Sequence, residues 1–221
     1  MSIATLILGE SGTGKSTSLR DLDPDKVLLI QSIHKPLPFR STNWTICNKE
    51  NPTGSIFITD QSETICKAME RTQKDIIVID DFQYIMANEF MRRSREKSYD
   101  KFTDIGRNAW DIFEKATSLP SHKRVYILAH TQTDEYGRTK IKTIGKMLDE
   151  KITLEGMVTI CLRTQVTDGK YFFTTQNNGQ DTVKSPMGLF PEQVIDNNLD
   201  LVDDYIRDYY GINSATKQEG N

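Results

Sequence analysis

The sequence predicts an α/β fold built on a mostly parallel sheet with helices on both faces. Short apolar runs recur along the chain with helical or loop segments between them, the alternation expected when a parallel sheet is covered on both sides. One such run, Ile3–Leu8, leads directly into a glycine-rich segment, Gly9–Ser16, which in turn precedes a helical pattern. A length of 221 residues suits one domain with a sizeable core.

Taken in order, the first strand is Ala4–Leu8, and Thr17–Leu22 continues past the glycine-rich segment as a short helix closed by Pro24. Val27–Gln31 is the second strand, and Trp44–Cys47 and Ile56–Ile58 read as short strands. Ser62–Thr72 is a helix, since Ile65, Met69 and Thr72 fall on one side and Asp60 or Ser62 can cap its start. Asp75–Asp80 is a strand that ends in an aspartate, with Asp81 next. Phe102, Ile105, Ala109, Trp110, Phe113 and Ala116 recur at helical spacing, so Asp100–Thr117 is a helix ended by Pro120, with Trp110 assigned to the core. Arg124–His130, Val158–Arg163 and Tyr171–Thr175 complete the strands. Thr131–Lys146 is polar, contains Gly137 and Gly145, and reads as a mobile loop of functional length. The core is expected over residues 1–190, an acidic helical extension containing the helix Leu199–Tyr209 over 191–212, and a disordered composition over 213–221.

A net charge of −3 argues against a nonspecific basic coat for nucleic acid, which makes the distribution of charge matter more than its sum. Cys47, Cys66 and Cys161 form no C-x-x-C pair, so reduced thiols are expected in place of a disulfide framework or zinc site. No apolar run is long enough to span a bilayer, and the chain starts without a signal-like segment. The expectation is a cytoplasmic protein without a membrane partner.

Gly9, Glu10, Ser11, Gly12, Thr13, Gly14, Lys15 and Ser16 spell G-x-x-x-x-G-K-S between a strand and a helix, the context that distinguishes a phosphate-binding P-loop (Walker A) from a flexible turn. Glycines let the backbone wrap phosphates with its N–H groups inward, Lys15 reaches the β- and γ-phosphates, and the Ser16 hydroxyl ligates Mg²⁺. Ile76–Asp80 resembles a Walker B strand: a buried parallel strand delivers Asp80 beside the Mg²⁺ held by Ser16. Asp81 is a candidate for polarising the attacking water, with a capping carboxylate as the alternative. His130, at the end of its strand, and Gln132 are candidates to sense the γ-phosphate.

Together the Gly9–Ser16 loop, the Ile76–Asp81 strand end, the strand ending in His130, and the element order resemble the RecA-like P-loop ATPase core. Within that group the chain resembles phage-encoded RecA-like single-strand annealing recombinases. The resemblance implies ATP held by Gly9 to Thr17, Mg²⁺ near Ser16 and Asp80, and nucleotide sites between neighbouring protomers of a ring or filament. It implies single-stranded DNA along the loops after Asp81 and His130, a bacterial host cytoplasm if the protein is phage-encoded, and a single-strand-binding protein as a further partner. By analogy, Lys184 is the basic residue that reaches a neighbouring protomer. One departure is Gln31, which stands where such enzymes usually carry a water-activating glutamate; glutamine orients water but does not accept its proton. Slow hydrolysis, or reliance on Asp81 or Glu10, follows.

Two basic clusters stand in the segments expected to face DNA: Arg92, Arg93, Arg95, Lys97 and Lys101, interleaved with Phe90, Tyr99 and Phe102, and Arg138, Lys140, Lys142 and Lys146 with Lys151. Cations neutralise phosphates and aromatic faces stack on bases, a combination suited to single strands with little sequence preference. The acidic run Glu192, Asp196, Asp200, Asp203, Asp204 and Asp208 reads as a solubilising surface, a screen for those clusters or a recruiter of a basic protein. Two rival readings are a small-molecule kinase with Arg138 on a lid, and a module that ATP orders without being hydrolysed.

Overall fold

Alternation along each buried strand sends successive side chains to opposite faces of the sheet, and both faces are apolar. The computed structural model describes residues 1–212. Its strands are β1 (Ile3–Gly9), β2 (Val27–Gln31), β3 (Ile56–Ile58), β4 (Ile76–Asp80), β5 (Arg124–Thr133), β6 (Thr139–Ile141), β7 (Ile160–Thr167), β8 (Lys170–Thr174) and β9 (Val194–Asp196). The helices are α1 (Ser62–Arg71), α2 (Gln83–Arg92), α3 (Asp100–Ser118) and α4 (Leu199–Tyr210). The sheet order is β3-β2-β4-β5-β1-β7-β8-β9, with β6 paired to the end of β5. The strands from β3 through β7 pair in parallel, whereas β8, β9 and β6 join antiparallel. The result is an α/β fold on a mostly parallel mixed sheet.

On one face, Leu6, Leu8, Ile77, Ile79, Val125 and Ile127 pack with Ile65 and Met69 of α1 and with Ile105, Ile112 and Phe113 of α3. On the other, Ile7, Leu29, Val78, Tyr126 and Leu128 meet Leu19, Leu22 and the α4 residues Leu199, Val202 and Ile206. The segment read as an acidic extension therefore supplies the cover of the second face. Asn198 caps α4 by accepting from the Asp200 and Leu201 amides, and Gly211 ends it with φ 62°. No helix among the described residues is long and apolar enough to cross a membrane.

Asp203 departs from the expected acidic surface because it points inward. It accepts from Arg124 Nε at 2.9 Å and Nη2 at 3.0 Å, and from the Tyr126 hydroxyl at 2.6 Å. Burial, reinforced by the Asp203 charge, raises the Tyr126 phenol well above its ordinary pKa and keeps it a donor. This network ties α4 to β5.

Other local expectations change for identifiable reasons. The helix after Gly9–Ser16 is a short 3-10 turn over Ser16–Asp21; side chains three residues apart align in that geometry, and Leu19 and Leu22 both enter the core. Part of the expected mobile loop is a hairpin, with Thr131, Gln132 and Thr133 paired to Ile141, Lys140 and Thr139. Its turn is set by the Asp134 carboxylate, which accepts from the Tyr136 and Arg138 amides, and by Gly137 at φ 79°. Trp44–Cys47 contributes only an isolated bridge, Ile46 to Ile56. Trp110 is 36% exposed and not a core residue, because the buried stripe of α3 runs through Ile105, Ala109, Ile112 and Ala116 beside it. β9 has no counterpart in the expected strands, and the expected disordered tail at 213–221 lies outside the described residues.

Asp203→Ala strands the Arg124 guanidinium in the interior. The expected loss is about 3–5 kcal/mol of stability, measured by urea denaturation; a change within about 0.5 kcal/mol, as at an ordinary surface site, would contradict this role.

Candidate functional site

Parallel register brings four strand ends to one edge of the sheet. Gly9 lies beside His130 across β1 and β5, and Gln31 lies beside Asp80 across β2 and β4. The Gly9–Ser16 loop, the loop after β2, the Asp80–Asp81 pair and His130 thereby converge. They enclose a cleft lined by residues of Ser11–Thr17, by Lys35, Pro36 and Pro38, and by Asp81 and His130.

The loop needs its glycines at particular places. Gly12 and Gly14 have φ 79° and 93°, where a side chain is strained. A Cβ at Gly9 would sit 1.9 Å from Thr164 Oγ1 and 2.6 Å from Thr13 Oγ1. Those two hydroxyls share a 2.6 Å hydrogen bond that fastens the loop to β7. A Cβ at Gly14 would meet Tyr171 Cδ1 at 2.9 Å and Asn197 Oδ1 at 3.0 Å.

Lys15 is buried and donates to the Gly9 and Glu10 carbonyls at 2.9 and 2.8 Å. Loss of hydration lowers its pKa to about 8, against the opposing pull of Asp81 and Asp80. An ammonium stripped of water in this way gains strongly from an arriving anion.

Ser16 Oγ lies 3.0 and 2.9 Å from the two oxygens of Asp80, which is 1% exposed. Burial first, and then repulsion from Asp81, push the Asp80 carboxyl above its usual range. A divalent cation would relieve that cost. Mg²⁺ typically takes one or two protein groups and completes its shell with phosphates and water, and the Ser16–Asp80 pair fits such a site. Among the described residues, no group of three or more His, Cys, Asp or Glu side chains is arranged around a metal position.

Asp81 sits in the left-handed region at φ 58°, a conformation costly for most side chains. The Ser32 hydroxyl, 2.9 and 2.8 Å from the Asp80 and Asp81 carbonyls, braces this turn. Both Asp81 carboxylate oxygens are occupied: Oδ1 lies 3.4 Å from His130 Nε2, and Oδ2 is paired with the Lys35 ammonium. Burial pushes the Asp81 carboxyl upward, but the His130 and Lys35 contacts together outweigh it and hold it below the carboxylate range.

Lys35 is the member of this cluster that the sequence analysis missed. Its only signal is a basic residue in the loop after a buried strand, four positions beyond Gln31. Gln31 itself is buried and donates from Nε2 to the Lys35 carbonyl at 3.1 Å, so its amide fastens the Lys35 loop. Lys184 is half-buried, with its backbone bridged to Cys161 beside β7. Gln132 donates to Asp149 and belongs to the hairpin.

The basic candidates divide. Arg92 pairs with Asp60, Arg93 with Glu89, Glu96 and Asp104, and Lys140 with Asp149. Lys101 is buried, lies over the Phe90 and Phe102 rings, and donates to the Glu96 carbonyl; its expected exposure is corrected by that packing. Arg95, Lys97, Arg138, Lys142 and Lys146 are exposed. The two basic segments meet where the Phe102 ring packs against Gly145, and Tyr99 and Tyr136 stand 86% and 82% exposed within them.

No protein-family model matches the chain, and a search of curated proteins returns no match.

Gly14→Ala combines a left-handed backbone with a collision, whereas Gly137→Ala has the first defect only, since nothing lies near its Cβ position. Both should lose stability on the order of 1–3 kcal/mol, Gly14→Ala the more; equal losses in thermal unfolding would refute the contact with Tyr171 and Asn197.

Proposed function

We propose that this chain is an ATP- and Mg²⁺-binding protein of the RecA-like kind that binds single-stranded DNA and promotes annealing or homologous recombination. The observation that carries the nucleotide half is the Ser16 hydroxyl on both Asp80 oxygens, at the mouth of a glycine loop whose lysine is a buried, water-stripped cation. In this reading Gly9 to Thr17 cradle the phosphates, Lys15 neutralises them, and Ser16 and Asp80 hold the metal.

The DNA half is supported by the exposed residues of the two basic segments, their junction at Phe102 and Gly145, and the exposed Tyr99 and Tyr136. Phosphate contacts and stacking of this kind bind single strands with little sequence preference. Self-association into a ring or filament, with Lys184 reaching a neighbour and a single-strand-binding protein as a partner, extends the same reading by analogy.

Hydrolysis is the slower part of this function. Gln31 is committed to the Lys35 carbonyl, and both Asp81 oxygens already carry a contact, one with His130 and one with Lys35. Those contacts favour, as a second reading, a nucleotide that switches DNA binding with little turnover.

Lys15→Ala should abolish ATP binding in calorimetry while the protein stays folded; unchanged affinity would refute the loop's assignment. In a gel-shift series with a labelled single strand, binding should require ATP and fall steeply with salt. Replacing Arg138, Lys142 and Lys146 together by alanine should reduce the log–log salt slope by roughly 2, at about 0.7 per phosphate contact on a single strand. An unchanged slope would remove the hairpin and its exit from the DNA path.

A further inference from the structure

We infer that Lys35 is a phosphate ligand supplied by the same chain, which leaves Asp81 for the terminal phosphate of the bound nucleotide and so frees Asp81 Oδ2 to receive the attacking water. This rests on the nucleotide reading above and adds to it a residue and a coupling step.

Placement is the first support. Lys35 lines the same cleft as Lys15, Ser16 and His130. Its backbone is held there: Gln31 donates to the Lys35 carbonyl, Ser32 bonds the Asp80 and Asp81 carbonyls, and Pro36 follows with its restricted φ. The side chain is another matter. It is 43% exposed, whereas its partner Asp81 is 5% exposed, so the lysine end of this pair is the one with space to move.

Charge balance is the second support. A buried carboxylate left alone is costly, and Lys35 together with His130 meets that cost when the cleft is empty. A triphosphate offers a competing anion of higher charge within the same cleft. Transfer of the ammonium to it leaves Asp81 still held through Oδ1 by His130, so the carboxylate stays oriented while Oδ2 opens. Water then donates a hydrogen bond to Oδ2 and its oxygen adds to the γ-phosphorus. The bond from that phosphorus to the β,γ-bridging oxygen breaks, its electron pair stays on the departing ADP, one water proton passes to solvent and the other remains on the orthophosphate. Lys35 stabilises the charge on the transferring group. ADP offers no γ-phosphate, so with ADP bound Lys35 stays on Asp81.

The contrast between ATP and ADP gives the test. Lys35→Met preserves the length of the side chain and removes its charge. Its affinity for ADP should stay within about threefold of wild type, while its affinity for a non-hydrolysable ATP analogue falls roughly 10- to 100-fold, the worth of one charge-assisted hydrogen bond. Any measurable turnover should fall roughly 10²- to 10³-fold, and Lys35→Arg should restore part of the ATP preference. If the methionine variant does not fold, acetic anhydride labelling of the wild-type protein reads the same step. The ATP analogue should shield Lys35 from acetylation, as followed by mass spectrometry, and ADP should not. An ATP-to-ADP affinity ratio unchanged in Lys35→Met, or equal labelling with either nucleotide, would overturn the assignment of Lys35 while leaving the nucleotide site standing. Failure of the wild-type protein to bind either nucleotide would overturn the site itself and this inference with it.

Discussion

The position of β5 between β1 and β4 is the constraint on which the site depends. Parallel pairing sets Gly9 level with His130 and Ile79 level with Ile127, so the strand ends rise to the same edge of the sheet. Because the strands are buried on both faces, their backbones have little freedom, and the residues just beyond them inherit that rigidity. The loop from Gly9 to Ser16 is fixed further by the Thr13–Thr164 hydrogen bond to β7, and by Tyr171 and Asn197 packed against Gly14. The polar cluster is thus held from both sides of β1.

Electrostatics then sets that edge apart from the rest of the sheet. Two adjacent carboxylates, Asp80 and Asp81, are almost wholly buried. Each is met differently: Asp80 accepts from the Ser16 hydroxyl and is pushed toward protonation, whereas Asp81 is paired with Lys35 and lies against His130. Neighbouring groups driven apart in this manner mark places where function opposes stability. Lys15, a buried cation resting on two carbonyls, belongs to the same pattern. An anion together with a divalent cation would satisfy all of these groups at once.

Much of the fold was legible because the strands are short apolar runs closed by turn residues, and because α1 and α3 carry unbroken apolar stripes. Asp80 was legible as the polar end of such a run. Lys35 was not, since a loop lysine has no periodicity and acquires meaning only when β2 and β4 pair. The basic clusters were legible as composition but not as paired charge: Asp60 is 32 residues from Arg92, and Asp104 is 11 from Arg93, yet those carboxylates meet the two arginines in space. The hairpin after β5 was hidden because its threonines look polar, although their branched side chains favour a strand.

What the sequence determined by itself is whatever local chemistry dictates. That includes the strand-like runs, the glycines that permit the loop's backbone at residues 12 and 14, and the lysine, serine and aspartates whose types suit phosphate and metal. Tertiary structure decided which of these charges meet. It turned Asp203 inward to Arg124 across 79 residues of chain, placed Lys35 on Asp81 across 46, and committed Gln31 to a loop carbonyl. The physical reason is that Coulomb and hydrogen-bond partners are chosen by distance and burial in space, and spacing along a chain carries no record of either until the sheet has set its register.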